Sequence, residues 1–143
     1  MEGLAFGGLR IGSLALLAGG YGKAGQVDAA LDALHEALAT AERRGGRRWE
    51  AELSRLKGEL LLEQTVDQTE EAEDYLQQAL AIARRQQAKS FELRAAMSLS
   101  RLWQRQGQRD AARDLLAPLY GWFTEGFDTT DLQEARALLE TLT

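Results

Sequence analysis

Between Glu71 and Arg85 the chain reads EAEDYLQQALAIARR, and its apolar positions fall in steps of three and four. Ala72, Tyr75, Leu76, Ala79, Ile82 and Ala83 share one side of a helix, opposite Glu73, Asp74, Gln77, Gln78 and Arg85. Alanine dominates the apolar stripe, so a second helix can approach it closely. The pattern recurs upstream at Ala30, Leu34 and Ala37 and downstream at Ala112, Leu116 and Leu119, at intervals of 42 and 40 residues. A fixed period of this length is the signature of a repeat architecture.

The same periodicity places the other helices. Residues 9–24, with Leu14, Leu17 and Tyr21 on one side, form a helix only where packing offsets their glycines. Gly25–Gln26 turns the chain into Val27–Arg44, whose inner side carries Ala30, Leu31, Leu34, Ala37, Leu38 and Ala41. Gly45–Gly46 stops that helix. The next starts at Arg47 or Arg48 and runs to about Gln64, with Leu53, Leu56, Leu60 and Leu61 as core positions; Gly58 inside it implies a close helix crossing. A polar turn, Thr65–Gln68, leads to a helix from Thr69 to about Gln87. Ser90 is expected to cap Phe91–Gln106, with Phe91, Ala95, Ala96, Leu99, Leu102 and Trp103 inward. Arg109–Trp122 follows, and Pro118 is expected to kink or shorten it. After a loop at 123–130, Thr130-x-x-Gln133 reads as a capping box for a last helix, Asp131–Leu142, with Leu132, Ala135, Leu138, Leu139 and Leu142 on one side.

Three of these hairpins resemble tetratricopeptide (TPR) repeats, whose motif is W-x2-L-G-x2-Y on the first helix and A-x3-F on the second. Leu14-x2-Leu17-Ala18-x2-Tyr21 with Ala30-x3-Leu34 matches it. So does Ala96-x2-Leu99-Ser100-x2-Trp103 with Ala112-x3-Leu116. The middle hairpin is looser, with Gly58 and Leu61 and then Ala72-x3-Leu76. The departures are the period, which is about 34 in the standard repeat, and the closing proline, replaced here by Glu42, Arg84 and Thr124. The resemblance implies an all-α, TPR-like α-solenoid of three helix hairpins plus a C-terminal capping helix. The whole of 1–143 would be one domain, with repeats at about 9–45, 47–88 and 90–123 and the cap at 131–142.

Longer phrases, WEAELSRLKGELLL (49–62), QALAIARRQQAKSFELRAAMSLSRLW (78–103) and LYGWFTEGFDTTDLQEARALLETL (119–142), are similar to one group within that family. It is the C-terminal repeat region of large bacterial signalling proteins that carry a nucleotide-cyclase domain and a P-loop ATPase domain ahead of the repeats. This implies a regulatory interaction module in a bacterial cytoplasm. The chain itself carries neither of those domains.

In the TPR fold the first helix of each pair lines a concave groove. Carried over position by position, the groove residues are Arg94, Met97, Arg101, Gln104 and Arg105 on one helix. On the preceding one they are Glu52, Arg55, Glu59, Leu62 and Glu63. Arg94, Arg101 and Arg105 share a side, and arginines so arranged offer bidentate contacts to carboxylate or phosphate. The alternative is that the three glutamates pair with the three arginines across the helices, as surface ion pairs commonly do.

Composition and charge narrow the partners. The 143 residues carry a net charge of −5 and are 45% hydrophobic and 27% charged. Basic and acidic side chains number 4 and 5 over residues 1–45, 6 and 9 over 46–88, and 7 and 8 over 89–143. No third is basic, so neither nucleic acid nor an anionic membrane surface is expected as a partner. Arg10 followed by IGSLALLAGG has the order of a signal peptide, but Glu2 lies in the would-be basic segment and no clear A-x-A site follows. No run reaches the roughly 20 apolar residues needed to span a bilayer.

The chain has no cysteine and one histidine. His35 and Asp32, one turn apart, lack a third ligand for a metal. GGYGKAG (19–25) has Leu17 and Ala24 where a phosphate loop needs glycine and a hydroxyl. The acids Glu70, Glu71, Glu73 and Asp74 suit a helix N-terminus electrostatically. No Ser/His/Asp set, thiol nucleophile or paired carboxylates in an apolar pocket can be found. A non-enzymatic scaffold without a cofactor is therefore expected, binding a peptide or protein segment in its groove. The alternative is a structural module that homodimerises through its glycine-rich first helix.

Overall fold

The computed structural model describes residues 27–44, 49–64 and 69–143, and among them every regular element is a helix. In chain order these are α1 (Val27–Arg44), α2 (Glu50–Gln64), α3 (Thr69–Arg85), α4 (Lys89–Arg105), α5 (Arg109–Trp122) and α6 (Thr130–Leu142). The helix expected over 9–24, the GGYGKAG segment, the self-association surface, the 47/48 helix start and the 65–68 turn lie outside the described residues.

The alanine stripes are buried as their period requires. Ala30, Ala72 and Ala112 are each 0% exposed, and so are Leu34, Leu76 and Leu116 four residues after each. Burying a leucine completely contributes about 1.5–3 kcal/mol, and alanine beside it lets neighbouring helix axes come close. One apolar cluster joins α1 to α2 through Ala30, Ala33, Leu34, Ala37, Leu53 and Leu60, with Trp49 and Leu56 packed on it. A larger one runs from Leu76 on α3 to Leu142 on α6.

Each helix packs on the next, and a second set of contacts sorts them into layers. Helices α2 and α4 touch, and so do α4 and α6, whereas no comparable contact joins α1 to α3 or α3 to α5. The layer α2–α4–α6 is thus the more closely spaced one and forms the inner side of the curve. Helix α4 is held from both flanks. This explains why every residue from Ala95 to Ser100 is buried, far more than a single amphipathic stripe. Buried hydroxyls on it are satisfied: Ser100 Oγ donates to the Ala112 carbonyl at 3.2 Å.

Gly58 marks the α2–α3 crossing. A Cβ placed there would lie 3.0 Å from the Ala72 carbonyl oxygen and 3.0 Å from Leu76 Cγ and Cδ2. The close crossing expected from the sequence is therefore present.

Two turns have one construction. At α3–α4, the Gln87 amide bonds the Arg84 carbonyl at 3.1 Å and the Ala88 amide bonds the Ala83 carbonyl at 2.9 Å. At α4–α5, the Gly107 amide bonds the Gln104 carbonyl at 3.1 Å and the Gln108 amide bonds the Trp103 carbonyl at 2.8 Å. Both reversals need a left-handed residue, supplied by Gly107 (φ 80°) and, less comfortably, by Gln87 (φ 55°).

Three local expectations are corrected. Ser90 does not cap α4: the helix begins one residue earlier, at Lys89 behind Ala88, so Ser90 lies inside its first turn, and Ala88 has no side chain able to cap. Thr130 does not cap α6 either. Thr129 is the N-cap, its Oγ1 accepting from the Leu132 amide at 3.4 Å while donating to the Gly126 carbonyl at 2.7 Å. Pro118 does not shorten α5, which continues to Trp122. Pro118 and Asp114, whose carbonyl loses its donor, are both exposed, so water can replace the missing bond.

Candidate interaction groove

The inner layer runs in parallel register. Glu52 on α2 meets Arg94 on α4, and three residues on, Arg55 meets Ser98. Arg94 in turn meets Asp131 on α6, and further along Gln104 meets Thr141. The inner side chains of all three helices therefore form one surface.

Its N-terminal end is closed by charge. Arg55 grips Glu52 in bidentate fashion, Nε to Oε1 at 2.7 Å and Nη2 to Oε2 at 2.9 Å, and Nη1 donates to Ser98 Oγ at 3.2 Å. Arg94 Nη1 adds a third bond to Glu52 at 3.0 Å, and its Nε donates to Asp131 Oδ2 at 2.9 Å. The Glu52 side chain is only 8% exposed. Burial by itself would raise its pKa, but Arg55 and Arg94 outweigh that and hold the carboxyl below its ordinary value. Burial likewise pulls the two guanidinium groups down, and their carboxylate partners push them above their ordinary values.

The C-terminal end is open. Arg101 Nη2 lies 3.6 Å from Glu134 Oε2 on α6, with both side chains near half exposed. Gln104 Nε2 donates to Thr141 Oγ1 at 2.9 Å, and Arg109 Nη2 donates to the Thr141 carbonyl at 2.7 Å. Between α4 and α6 lies a cleft of about 560 Å³ lined by Arg101, Gln104, Arg105, Glu134, Ala137, Leu138 and Thr141. Arg105 is exposed and forms no ion pair among the described residues. On α2, Glu59 pairs with Arg55 of the same helix at 3.9 Å. Glu63 is exposed, and its carboxyl is pushed above its ordinary value by partial burial and then by the like charge of Glu59.

The ten residues expected on the groove thus separate, and Leu62 packs half-buried against the core. Arg101, Gln104 and Arg105 meet at the cleft. Glu52, Arg55 and Arg94 form the closed network, so the cross-helix pairing alternative holds for Glu52 and Arg94. Glu59 and Glu63 sit beyond that network on α2. Met97 is a correction: it is 2% exposed and belongs to the core, because α6 covers the arc of α4 that a single-helix reading leaves open. Missed from the sequence were Asp131, Glu134, Leu138 and Thr141. Their spacing of three, four and three puts them on one side of α6, a signal that was present but absorbed by reading this helix only as a cap.

Away from the groove, Trp122 (57% exposed) stands edge-on to half-buried Phe123 with centroids 5.2 Å apart. His35 and Asp32 are both exposed on α1. No helix among the described residues is long and apolar enough to cross a membrane.

A two-layer array of paired helices with an open inner surface defines an α-solenoid. The tetratricopeptide repeat family matches residues 10–85, just over half of the sequence, and the chain belongs to that family. No curated protein matches it. Members of the family generally mediate protein–protein interaction and are typically non-enzymatic scaffolds.

Proposed function

We propose that this chain is a non-enzymatic interaction module that docks a peptide or protein segment at the C-terminal end of its inner groove. The observation that carries the reading is the α4–α6 cleft, where exposed Arg101 and Arg105 stand beside Ala137 and Leu138. Apolar floor and charged rim together suit a segment that buries a hydrophobic side chain and presents a carboxylate to arginine. Arg94 is excluded from this role by its bonds to Glu52 and Asp131. The working unit is a single repeat domain over residues 1–143. The likeness of its longer phrases to the repeat region of bacterial nucleotide-cyclase/ATPase signalling proteins supports a regulatory role in the cytoplasm.

The test is selection from a random-peptide display library on the purified chain, with titration of the enriched peptide against Arg101→Glu. Binding that falls by about tenfold, 1.4 kcal/mol, supports the groove. Unchanged affinity removes it.

A further inference from the structure

Two rows of opposite charge run side by side on the inner surface. On α2 they are Glu52, Glu59 and Glu63; on α4 they are Arg94, Arg101 and Arg105. Each row has the same spacing, seven residues and then four, which keeps its three members on one side of a helix. The helices are parallel, and the Glu52–Arg94 bond sets the register, so each glutamate has an arginine counterpart 42 positions on.

Only the first rung is closed. Glu52 and Arg94 pair at 3.0 Å. Neither Glu59 nor Glu63 comes within the 4.0 Å of an ion pair with Arg101 or Arg105. Arg101 turns the other way, to Glu134, and Glu59 turns back, to Arg55. The parallel register sets the α2 carboxylates level with the α4 guanidinium groups, and of the two only the guanidinium groups line the α4–α6 cleft. Neither set neutralises the other, and the two carboxylates repel each other. The complementary occupant carries both signs, in a fixed order across the groove.

We propose that the open end of the groove selects a bipolar peptide segment, one that sets a carboxylate against Arg101 and Arg105 and a lysine or arginine against Glu59 and Glu63. The inference rests on the groove reading above and adds to it the partner's chemistry and direction. A purely acidic segment would meet the α2 carboxylates with like charge, a juxtaposition that disfavours wrong partners strongly.

The experiment is the same display selection, run in parallel on the wild-type chain and on Glu63→Lys, Arg105→Glu and the double variant Glu63→Arg with Arg105→Glu. Both positions are exposed, and circular dichroism confirms that each variant remains helical. The wild-type chain is expected to enrich peptides carrying both an acidic and a basic residue. Glu63→Lys removes the preference for the basic residue and weakens the enriched peptide by about tenfold. Arg105→Glu does the same for the acidic one, and the double variant favours the peptide with its two charges exchanged. Enrichment of acidic peptides that are indifferent to Glu63→Lys overturns the bipolar inference and leaves the groove reading standing. Failure to enrich any peptide sensitive to either position overturns both.

Discussion

Gly58 and Ala72 mark a close approach of α2 and α3: a Cβ on Gly58 would lie 3.0 Å from the Ala72 carbonyl oxygen. Backbone stands in the way as well as the buried Leu76 side chain. Alanine at 58 would gain up to about 1 kcal/mol of helix propensity. Overpacking a well-filled site typically costs about 1–3 kcal/mol, so the net effect is a loss. Gly58→Ala is expected to lower stability by about 1 kcal/mol, and Gly58→Val by more. The measurement is the midpoint shift in urea.

Glu52 is the carboxylate on which the inner layer converges. Removing it leaves Arg55 and Arg94 with too little negative charge in a poorly hydrated place. Glu52→Ala is expected to cost about 3 kcal/mol, the low end for breaking a buried pair because Arg94 keeps some contact with water. Arg101→Ala, at the exposed end, should change stability by less than about 0.5 kcal/mol. Parallel denaturation curves check the contrast.

The same carboxylate predicts a pH dependence. Its folded pKa is lower than its unfolded one, so its contribution is complete above the unfolded value, about pH 4.3. It disappears as pH falls through the folded value. Glu63 has the opposite sign: its pKa is raised, so it favours the fold when protonated and loses that contribution as pH rises. Stability should therefore drop on acidification below about pH 4.3, and Glu52→Gln should flatten that slope. Glu63→Gln should leave it in place.

Gln87 holds a left-handed backbone that its turn requires and that its side chain disfavours. The matching corner uses Gly107 at φ 80°. Gln87→Gly is expected to raise stability by about 0.5–1 kcal/mol, the reverse of the usual effect of introducing glycine. Thermal melts of the two proteins decide it, and a lower midpoint contradicts the assignment of strain.

The caps of the last helix separate two neighbouring threonines. Thr129→Ala should cost about 0.5 kcal/mol, because its bond to the Leu132 amide is long at 3.4 Å. Thr130→Ala should be silent.

Helix positions and the buried alanines were legible because the three-and-four spacing reports directly on which side of a helix is apolar. Ala30, Ala72 and Ala112 are fully buried for that reason. Periodicity on one helix says nothing of how many neighbours that helix has. Met97 shares a side with Arg94 and Arg101, yet it is in the core because α6 lies over it. Leu80 and Ala33, off the expected stripes, are buried as well. The caps were misread by one residue at Thr130 and by two at Ser90, where the N-cap position is held by Ala88. Of the groove, the charged rows were legible and their pairing was not. Whether Arg94 faces a ligand or Glu52 depends on the distance between two helices, which no single stretch of sequence encodes.

Arg94 bonds to both flanking helices at once, whereas among the described residues the polar bonds between inner helices at the far end are the longer Arg101–Glu134 pair and an amide–hydroxyl bond. The three inner rods are thus stapled near their starts and left loose near their tips, like tines fixed in one handle. A segment wedged among the tips would spread or draw them together while the handle held, and occupancy would be read out as a change in the solenoid's curvature.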